Sequence, residues 1–318
     1  MPKVSVVLPV YNVEGYLPKC LDSLVSQTLR DIEVICVDDG STDRSGAIID
    51  EYAAKDGRFR AIHQANAGAG AARNVGMAAA VGEYLFFCDP DDWCGPEMLS
   101  GLVSRADKVE ADVVLSGYVK VDGATGRILG EHMPSSKWPC DGSFDGSKMR
   151  KWVFNLARHT VWDKLFRRSF VEREGIRFQE IPRYNDMLFC DLSLATAGRI
   201  AVLRQTGYFH RLARSGGLQA TKSRTPLLVL GVYDRLRDEL EARSVFGRYA
   251  ESFLRAMARS GRDIIRQLNS RDDARRLYDG LRRRAWPLLW TMSPFAFLMA
   301  AKALVRARLE LGARKWKE

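Results

Sequence analysis

Near the start of the chain, three apolar segments each run directly into a polar or acidic cluster, and this pattern constrains the fold most strongly. The apolar segments are residues 4–8, 32–37 and 84–88, and the clusters that follow them are residues 9–12, 38–43 and 89–92. Stretches with apolar residues at helical spacing separate the segments, so strands and helices alternate. This alternation predicts an α/β fold with a mostly parallel sheet and helices on both faces. In such a sheet, ligands bind at the carboxyl ends of the strands, where all three clusters would lie.

The third cluster contains the carboxylates of Asp89, Asp91 and Asp92 within four positions. Carboxylates this close repel one another unless a cation or hydrogen-bond donors lie between them. Hard carboxylate oxygens suit Mg²⁺ or Mn²⁺, which usually bridge one or two carboxylates to substrate phosphates. A helix start before Pro96 is the alternative, but three acids are more than a helix start needs. The cluster therefore predicts a divalent metal bound together with a nucleotide.

Asp39 and Arg73 are two further candidate ligand-binding residues. Asp39 lies in an Asp-Asp-Gly-Ser turn after a strand, where its carboxylate can accept a hydrogen bond from the imide N–H of a nucleobase. The alternative is a turn in which Ser41, Thr42 or Asp43 caps the next helix, and both roles can coexist. Arg73 follows a small-residue loop whose backbone could approach a phosphate. This loop lacks the third glycine of a dinucleotide fingerprint and does not follow the first strand, which disfavours a dehydrogenase.

Two polar sites stand out in the second half of the chain. Asp186 begins an apolar helix, where helix capping explains it as well as a functional role does. His210 and Arg211, together with residues 214–217, form a basic loop that could fold over phosphates or could be a solvated turn. The four histidines are scattered, and we find no Ser/His/Asp constellation for nucleophilic catalysis.

The charge and the cysteines restrict the class of protein. The net charge is +10, which suits nucleic acid, anionic membrane or phosphorylated substrates. Acidic residues accompany the basic ones in the tail, which disfavours nucleic acid. The six cysteines form no CxxC pair and no zinc spacing, and Cys36 and Cys88 lie in apolar strands as expected of buried thiols. With no signal segment at the N-terminus, we expect a reducing, cytoplasmic location.

The last third of the chain has a different character. Residues 119–145 contain many turn formers and predict a hairpin and a loop. Beyond Pro226 the pattern becomes helical and Arg-rich. Residues 286–301 carry no charge, lie between basic residues, and are fewer than the roughly 20 residues that a membrane-spanning helix needs. This pattern is typical of a helix that lies on an anionic membrane surface, and a buried helix in the C-terminal bundle is the main alternative.

Taken together, these motifs resemble the family 2 glycosyltransferases with the GT-A fold. The matching stretches are residues 4–12, 20–24, 27–28, 31–33, 37–43, 66–68, 72–76 and 82–92. The resemblance is dense over residues 3–118 and weaker from Trp162 to about residue 217. The last hundred residues match nothing that we can use.

The resemblance implies an inverting transferase that takes a sugar from a nucleotide-diphosphate donor, most often a UDP-sugar. In the family, Pro9, Tyr11 and Asp39 would frame the base, and Arg73 would lie near the nucleotide. Asp89 and Asp91 would form the DxD element that holds Mn²⁺ or Mg²⁺, with Asp91 as the principal metal ligand.

Asp186 would be the catalytic base that accepts the proton of the acceptor hydroxyl. Here the sequence departs from the family, because the usual Glu-Asp pair is replaced by Asn185-Asp186. Since a neighbouring negative charge has gone, we expect this replacement to lower the pKa of Asp186.

The expected domains are a GT-A domain over residues 1–225 and a helical basic extension over residues 226–318. Residues 1–118 would be the nucleotide-binding half, and residues 119–225 the acceptor-binding half. A saccharide or lipid-linked saccharide acceptor fits the basic extension. We therefore expect a cytoplasmic enzyme of polysaccharide biosynthesis, peripheral on the inner face of the plasma membrane, with no nucleic-acid partner.

Two other classes of protein remain open on the sequence. A non-catalytic nucleotide-sugar or polysaccharide-binding module would be indicated by loss of Asp91 or Asp186, and both are present. A nucleotidyltransferase also uses a parallel sheet and carboxylate-bound metal. It would carry a Gly-rich, basic loop directly after the first strand, where this chain has Pro9 to Asn12.

Overall fold

The computed structural model describes residues 1–139, 142–156, 158–212 and 225–289, together with 301, 302, 305, 306, 308 and 312. It divides into two compact units, which we describe separately. The first unit contains Met1–Gly146 and His159–Arg214, and the second contains Ser147–Arg158 and Ser215–Glu318.

The first half of the first unit is a parallel sheet, as predicted. Its strands are β1 (Val4–Val10), β2 (Ile32–Asp38), β3 (Phe59–His63) and β4 (Tyr84–Phe87), which lie side by side in the order β3-β2-β1-β4. The helices between and after them are α1 (Leu17–Val25), α2 (Ser45–Lys55), α3 (Ala69–Ala79) and α4 (Met98–Val109). Every residue of β1, β2 and β4 is buried, as expected for parallel strands covered on both faces.

The second half of the sheet is mixed. Its strands are β5 (Trp93–Cys94), β6 (Val113–Asp122), β7 (Ile128–His132), β8 (Lys164–Arg167) and β9 (Ile200–Leu212). Beyond β4 the order is β8-β6-β9-β5, and β7 pairs with β6 in the predicted hairpin. Only the β6–β9 pair is parallel in this half. The predicted α/β fold is therefore confirmed.

Close packing of α3 on the parallel sheet depends on a glycine. A Cβ added at Gly76 would lie 2.4 Å from Cγ1 of Val7 in β1 and 3.2 Å from Cγ2 of Val37 in β2. Since real Cβ atoms do not approach so closely, only glycine lets this helix lie at its observed distance from the strands. The contact fixes α3, which carries Arg73, against β1 and β2.

Two further helices belong to the first unit: one of six residues after β8 and one of 12 residues before β9. They are α6 (Arg168–Arg173) and α7 (Asn185–Thr196). All five cysteines that the structure describes are buried and unbridged, as predicted for Cys36 and Cys88, whereas Cys140 lies outside the described residues.

The second unit is helical, as predicted for the chain beyond Pro226. Its helices are α5 (Val153–Leu156), α8 (Leu228–Ala242), α9 (Phe246–Ile265) and α10 (Arg271–Leu289). The side chain of Leu281 in α10 occupies the space beside Gly261 in α9, where an added Cβ would be 2.1 Å from it.

Most of the uncharged segment 286–301 lies outside the described residues. Its first four residues form the end of α10, where the Trp286 side chain is exposed and Leu289 is buried. Among the helices that the structure describes, none has the length and apolar character needed to cross a bilayer.

Candidate active site

The acidic cluster lies in the short connection between β4 and β5. One carboxylate oxygen from each of Asp89, Asp91 and Asp92 lies within 4.8 Å of the others. The N–H of Asp92 donates to the Asp89 carbonyl oxygen at 3.1 Å, which closes a turn. Asp89 and Asp91 are partly exposed, so two hard oxygen donors face solvent at the end of a buried strand. This donor set fits the divalent cation that the sequence predicts.

Asp92 has a different role, because it is buried and fastens the cluster to β9. Its Oδ2 lies 3.0 Å from His210 Nδ1, and its Oδ1 accepts the Arg211 N–H at 2.7 Å. Burial raises the pKa of Asp92 to about 7, although the hydrogen bond with His210 opposes this shift. The Arg211 guanidinium also donates through Nε to the Asp91 carbonyl oxygen at 2.9 Å.

The prediction that His210 and Arg211 lie in a loop is wrong, because both residues belong to β9. The rest of the predicted loop, residues 214–217, lies outside the described residues.

Arg73 connects the acidic cluster to α7. Its Nη2 donates to Oδ1 of Asp89 at 2.7 Å, and its Nη1 donates to Oδ1 of Asn185 at 2.8 Å. The guanidinium also lies 5.5 Å from the ring centroid of Phe178. Arg73 is 7% exposed, so these are low-dielectric, charge-assisted contacts. The neutral Asn185 therefore serves as a hydrogen-bond acceptor for the arginine that holds Asp89.

The neighbouring residue Asn74 holds the segment that leads into α7. Its Nδ2 donates to the Phe178 carbonyl oxygen at 3.0 Å, and its Oδ1 accepts the Phe178 N–H at 2.9 Å. One turn earlier, a Cβ added at Gly70 would lie 2.1 Å from the carbonyl oxygen of Gln179. The glycines at positions 70 and 76 thus allow close approach of α3 to its neighbours, and the polar side chains at positions 73 and 74 make its hydrogen bonds.

Asp186 lies in the first turn of α7 and is partly buried. The N-cap of this helix is Tyr184, whose φ of 60° is in the left-handed region, so the interpretation of Asp186 as the N-cap is wrong. Burial raises the pKa of Asp186 to about 6; the Arg73 charge opposes this shift and the Asp89 charge adds to it. Desolvation therefore dominates the environment of this carboxylate, and the lower pKa expected from replacing the family's glutamate by Asn185 stays a prediction.

A buried polar network surrounds α7. His159 Nδ1 lies 3.0 Å from Oδ1 of Asp191, and the Lys164 ammonium donates to Oδ1 of Asp163 at 2.6 Å. Burial alone would lower the pKa of His159, but the Asp191 carboxylate outweighs it and the net shift is upward. The Asp186 charge acts in the same direction. The His159 charge in turn favours the ionised form of Asp186, although burial outweighs it and the net pKa shift of Asp186 is upward.

The three predicted base-binding residues lie at the ends of β1 and β2, and the structure gives each a different environment. Pro9 is buried within β1, whereas Tyr11 is 46% exposed directly after the strand. Asp39 is nearly buried, and its carboxylate accepts hydrogen bonds from Gln64 Nε2 at 2.7 Å and from the N–H groups of Ala67 and Gly68 at 2.8 Å. Asp39 therefore holds the loop that leads into α3.

Sequence reasoning missed an aromatic group behind the acidic cluster. The Tyr208 hydroxyl accepts the Asp89 N–H at 3.1 Å, and the Trp162 ring stacks on Tyr208 at 4.6 Å and on His210 at 5.0 Å. Trp162 belongs to the weaker part of the family match, but Tyr208 carried no signal. Its position follows from the pairing of β5 with β9, which joins residues far apart in the chain.

Two cations lie beside the cluster on the same aromatic ring. The Lys19 ammonium is 3.4 Å from the Trp93 ring centroid, and the Arg211 guanidinium is 5.1 Å from it. Burial lowers the pKa of Lys19, and the Arg211 charge lowers it further. Cations held next to paired carboxylates provide complementary partners for a metal–diphosphate group.

Comparisons with known proteins address the family to which this chain belongs. A family model described as "Glycosyl transferase family 2" matches residues 5–173. The uncharacterized glycosyltransferase EpsJ of Bacillus subtilis is 35% identical over 212 residues, which cover 66% of this chain and 61% of EpsJ. The poly(ribitol-phosphate) beta-glucosyltransferase of Bacillus spizizenii is 35% identical over 219 residues, which cover 67% of this chain and 33% of that protein. The match thus spans less than two thirds of the length of these relatives.

Solved structures show the same fold. Staphylococcus aureus TarS residues 1–349, in complex with UDP-GlcNAc, superposes with a TM-score of 0.62 at 22% identity, covering 98% of this chain and 91% of TarS 1–349. The mannosyltransferase PcManGT of Pyrobaculum calidifontis, in complex with GDP-Man and Mn²⁺, gives a TM-score of 0.56 at 15% identity, with 99% and 88% covered. From the family match over more than half of its length, the chain belongs to glycosyl transferase family 2.

Proposed function

We propose that this chain is an inverting glycosyltransferase that moves a sugar from a UDP-sugar donor to a hydroxyl of a saccharide or lipid-linked saccharide. The observation that carries the proposal is the Arg73 bridge, which joins Asp89 of the partly exposed acidic pair to the helix that bears Asp186. The bridge places a metal-binding group and a candidate base on one connected scaffold. The UDP and UDP-GlcNAc complexes of TarS support the choice of nucleotide.

The donor would bind across the carboxyl ends of β1, β2 and β4. The exposed Tyr11 ring offers a face for the base, with Pro9 near the end of the same strand and Asp39 directly after the neighbouring strand. Asp91, with Asp89, would hold Mn²⁺ or Mg²⁺, a choice that the Mn²⁺ complex of PcManGT supports. When bound, this cation neutralises the charge that develops on the nucleoside diphosphate as it leaves.

Asp186 would accept the proton from the acceptor hydroxyl as its oxygen attacks the anomeric carbon. A pKa of about 6 keeps the carboxylate mostly ionised at pH 7 and makes it a stronger base than an ordinary aspartate. Attack from the face opposite to the leaving diphosphate forms the new C–O bond as the old one breaks. One such displacement inverts the configuration at the anomeric carbon.

The remaining parts of the chain would serve the acceptor. We assign residues 1–118 to nucleotide binding, residues 119–225 to the acceptor, and residues 226–318 to a basic extension on the inner face of the plasma membrane. Residues 226–318 contain 20 Lys and Arg against 11 Asp and Glu, which favours an anionic surface.

A donor panel tests the proposal directly. The full chain would be incubated with UDP-, GDP- and dTDP-sugars and either Mn²⁺ or Mg²⁺, and hydrolysis or transfer would be measured. We expect turnover of UDP-sugars that EDTA abolishes. Asp91→Asn should weaken metal-dependent turnover by at least about tenfold, since even groups that only orient metal ligands have effects of this size.

Asp31→Asn is the matched control, because Asp31 is an exposed aspartate away from the acidic cluster. It should leave turnover unchanged. Calorimetry that gives the same UDP affinity with and without Mn²⁺, in both the wild type and the Asp91→Asn variant, would contradict the metal assignment.

A further inference from the structure

The second unit contains a cavity with a strongly basic lining, formed wholly within that unit. Its volume is about 310 Å³. The lining residues are Trp152, Asn155, Arg255, Ala258, Arg259, Arg262, Lys302 and Arg306. Three of the cations come from α9 at positions 255, 259 and 262, a spacing that places them on one face of the helix.

Contacts within the unit hold two of these arginines in place. The Arg255 guanidinium lies 4.2 Å from the Trp152 ring centroid, and its Nε donates to Glu251 Oε1 at 3.1 Å. Nη1 of Arg259 donates to the Asn155 carbonyl oxygen at 3.0 Å. Arg255 is buried although it is charged, so its position is fixed before any ligand arrives. Preorganised arginines lose less entropy when they bind an anion.

The charges around the cavity do not balance. Glu251 pairs with Arg255, and Asp263 lies 3.3 Å from Arg262 and 4.0 Å from Arg259. Within the described part of the chain, Lys302 and Arg306 have no carboxylate partner. Five cations therefore face two carboxylates, which leaves an excess of about three positive charges around a concave space. Cations held this close repel one another, and a bound anion relieves that repulsion.

We propose that this cavity binds a diphosphate group. A diphosphate monoester or diester carries two to three negative charges, which matches the excess. Arginines bind phosphate oxygens through paired N–H donors, and the α9 arginines approach the cavity from one side. The site is argued from the second unit alone, so it does not depend on the transfer reaction proposed above. The same chemistry fits the diphosphate of a lipid carrier or a free diphosphate.

Calorimetry on the full chain tests the site with inorganic pyrophosphate as the probe. EDTA and 150 mM salt would be present, so that metal-dependent binding at the acidic cluster and long-range charge effects are both suppressed. The cavity variants are Arg259→Gln/Arg262→Gln and Lys302→Gln/Arg306→Gln. Arg235→Gln/Arg237→Gln is the matched control, because it removes the same charge from partly exposed positions of α8 outside the cavity.

We expect saturable binding by the wild type, a Kd raised at least tenfold in each cavity variant, and a change of less than about twofold in the control. Thermal unfolding would verify that the variants fold. No saturable binding by the wild type, or an equal loss in cavity and control variants, would overturn the proposal.

Farnesyl diphosphate is a further probe that identifies the source of the diphosphate. Tighter binding of farnesyl diphosphate than of pyrophosphate indicates a lipid carrier, and equal affinity of the two indicates a free diphosphate. Donor turnover in the cavity variants, measured separately, reports on the transfer reaction and not on this site.

Discussion

At the scale of single residues, burial decides how the carboxylates of the site behave. Asp89 and Asp91 remain partly exposed at the strand end, whereas burial raises the pKa of Asp92 to about 7 and that of Asp186 to about 6. The sequence identified these carboxylates as candidates but did not predict these pKa shifts. Desolvation of a carboxylate depends on segments that are far away in the chain, such as β9, which contacts Asp92. The local sequence pattern around each carboxylate does not indicate which segments will bury it.

Asp186→Asn separates a catalytic base from a residue that only complements the helix dipole. Asparagine is nearly isosteric and uncharged, and burial disfavours the ionised form of Asp186, so the free energy of unfolding at pH 7 should not decrease. It cannot accept a proton, so transfer should fall by about two to four orders of magnitude. Donor affinity should change little, because the base faces the acceptor. Steady-state kinetics with denaturant unfolding measures all three quantities.

The outcome that contradicts the assignment is near-normal turnover of the Asn variant. Asp163 would then be the next candidate for the base. The structure weakens that choice, since Asp163 is nearly buried and its Oδ1 accepts the Lys164 ammonium at 2.6 Å.

The pH dependence of transfer follows from the raised pKa of Asp186. The base acts only when it is deprotonated, and its pKa is about 6, so activity should rise as pH increases through 6. Below pH 5 the carboxyl is mostly protonated and kcat should fall about tenfold per pH unit. A profile of kcat from pH 4.5 to 8 measures the midpoint. A midpoint near 4, the ordinary value for aspartate, would show that another group limits the rate.

At the scale of elements, α3 organises the site through short-range contacts with the segment before α7. Gly70→Ala tests this, because the new Cβ would lie 2.1 Å from the Gln179 carbonyl oxygen. Overpacking of this kind costs about 1–3 kcal/mol, and it should displace the segment that positions Asn185 and Asp186. We expect a lower melting temperature and a loss of transfer larger than the loss of UDP binding.

Gly15→Ala is the control, since a Cβ at Gly15 meets nothing within 4 Å. It should match the wild type in both melting temperature and transfer. If Gly70→Ala also transfers sugar normally, the contact between α3 and Gln179 does not position the base.

The elements also show why the parallel half could be predicted and why β8 and β9 of the mixed half could not. Strands β1, β2 and β4 are continuous apolar runs, so local pattern is sufficient to identify them. Strand β8 carries the buried Lys164, and β9 is polar over much of its length, so neither has a clear strand signature. Their places in the sheet come from pairing with β4 and β6, which depends on tertiary contacts.

At the scale of the whole molecule, positive charge is concentrated in the helical extension. Residues 226–318 carry 20 basic and 11 acidic side chains, whereas the preceding 225 residues carry 29 and 28. The first unit leaves out residues 147–158 and 215–225, so it carries 23 basic and 28 acidic side chains and has a net negative charge. The extension supplies almost all of the net charge, so long-range attraction to an anionic partner should act mainly through it.

We predict that the full chain sediments with vesicles that contain anionic lipid, and that salt weakens this binding because the charge contribution is screened. A truncation after Leu289 is the informative variant. It keeps α10 and its buried residues Leu281, Ala285 and Leu288, whereas a cut at residue 280 would remove them from the core. Loss of sedimentation in this truncation would place the contact in the uncharged segment and the basic residues beyond it. If the full chain stays in the supernatant at low salt, the peripheral location is wrong and the uncharged segment packs within the protein.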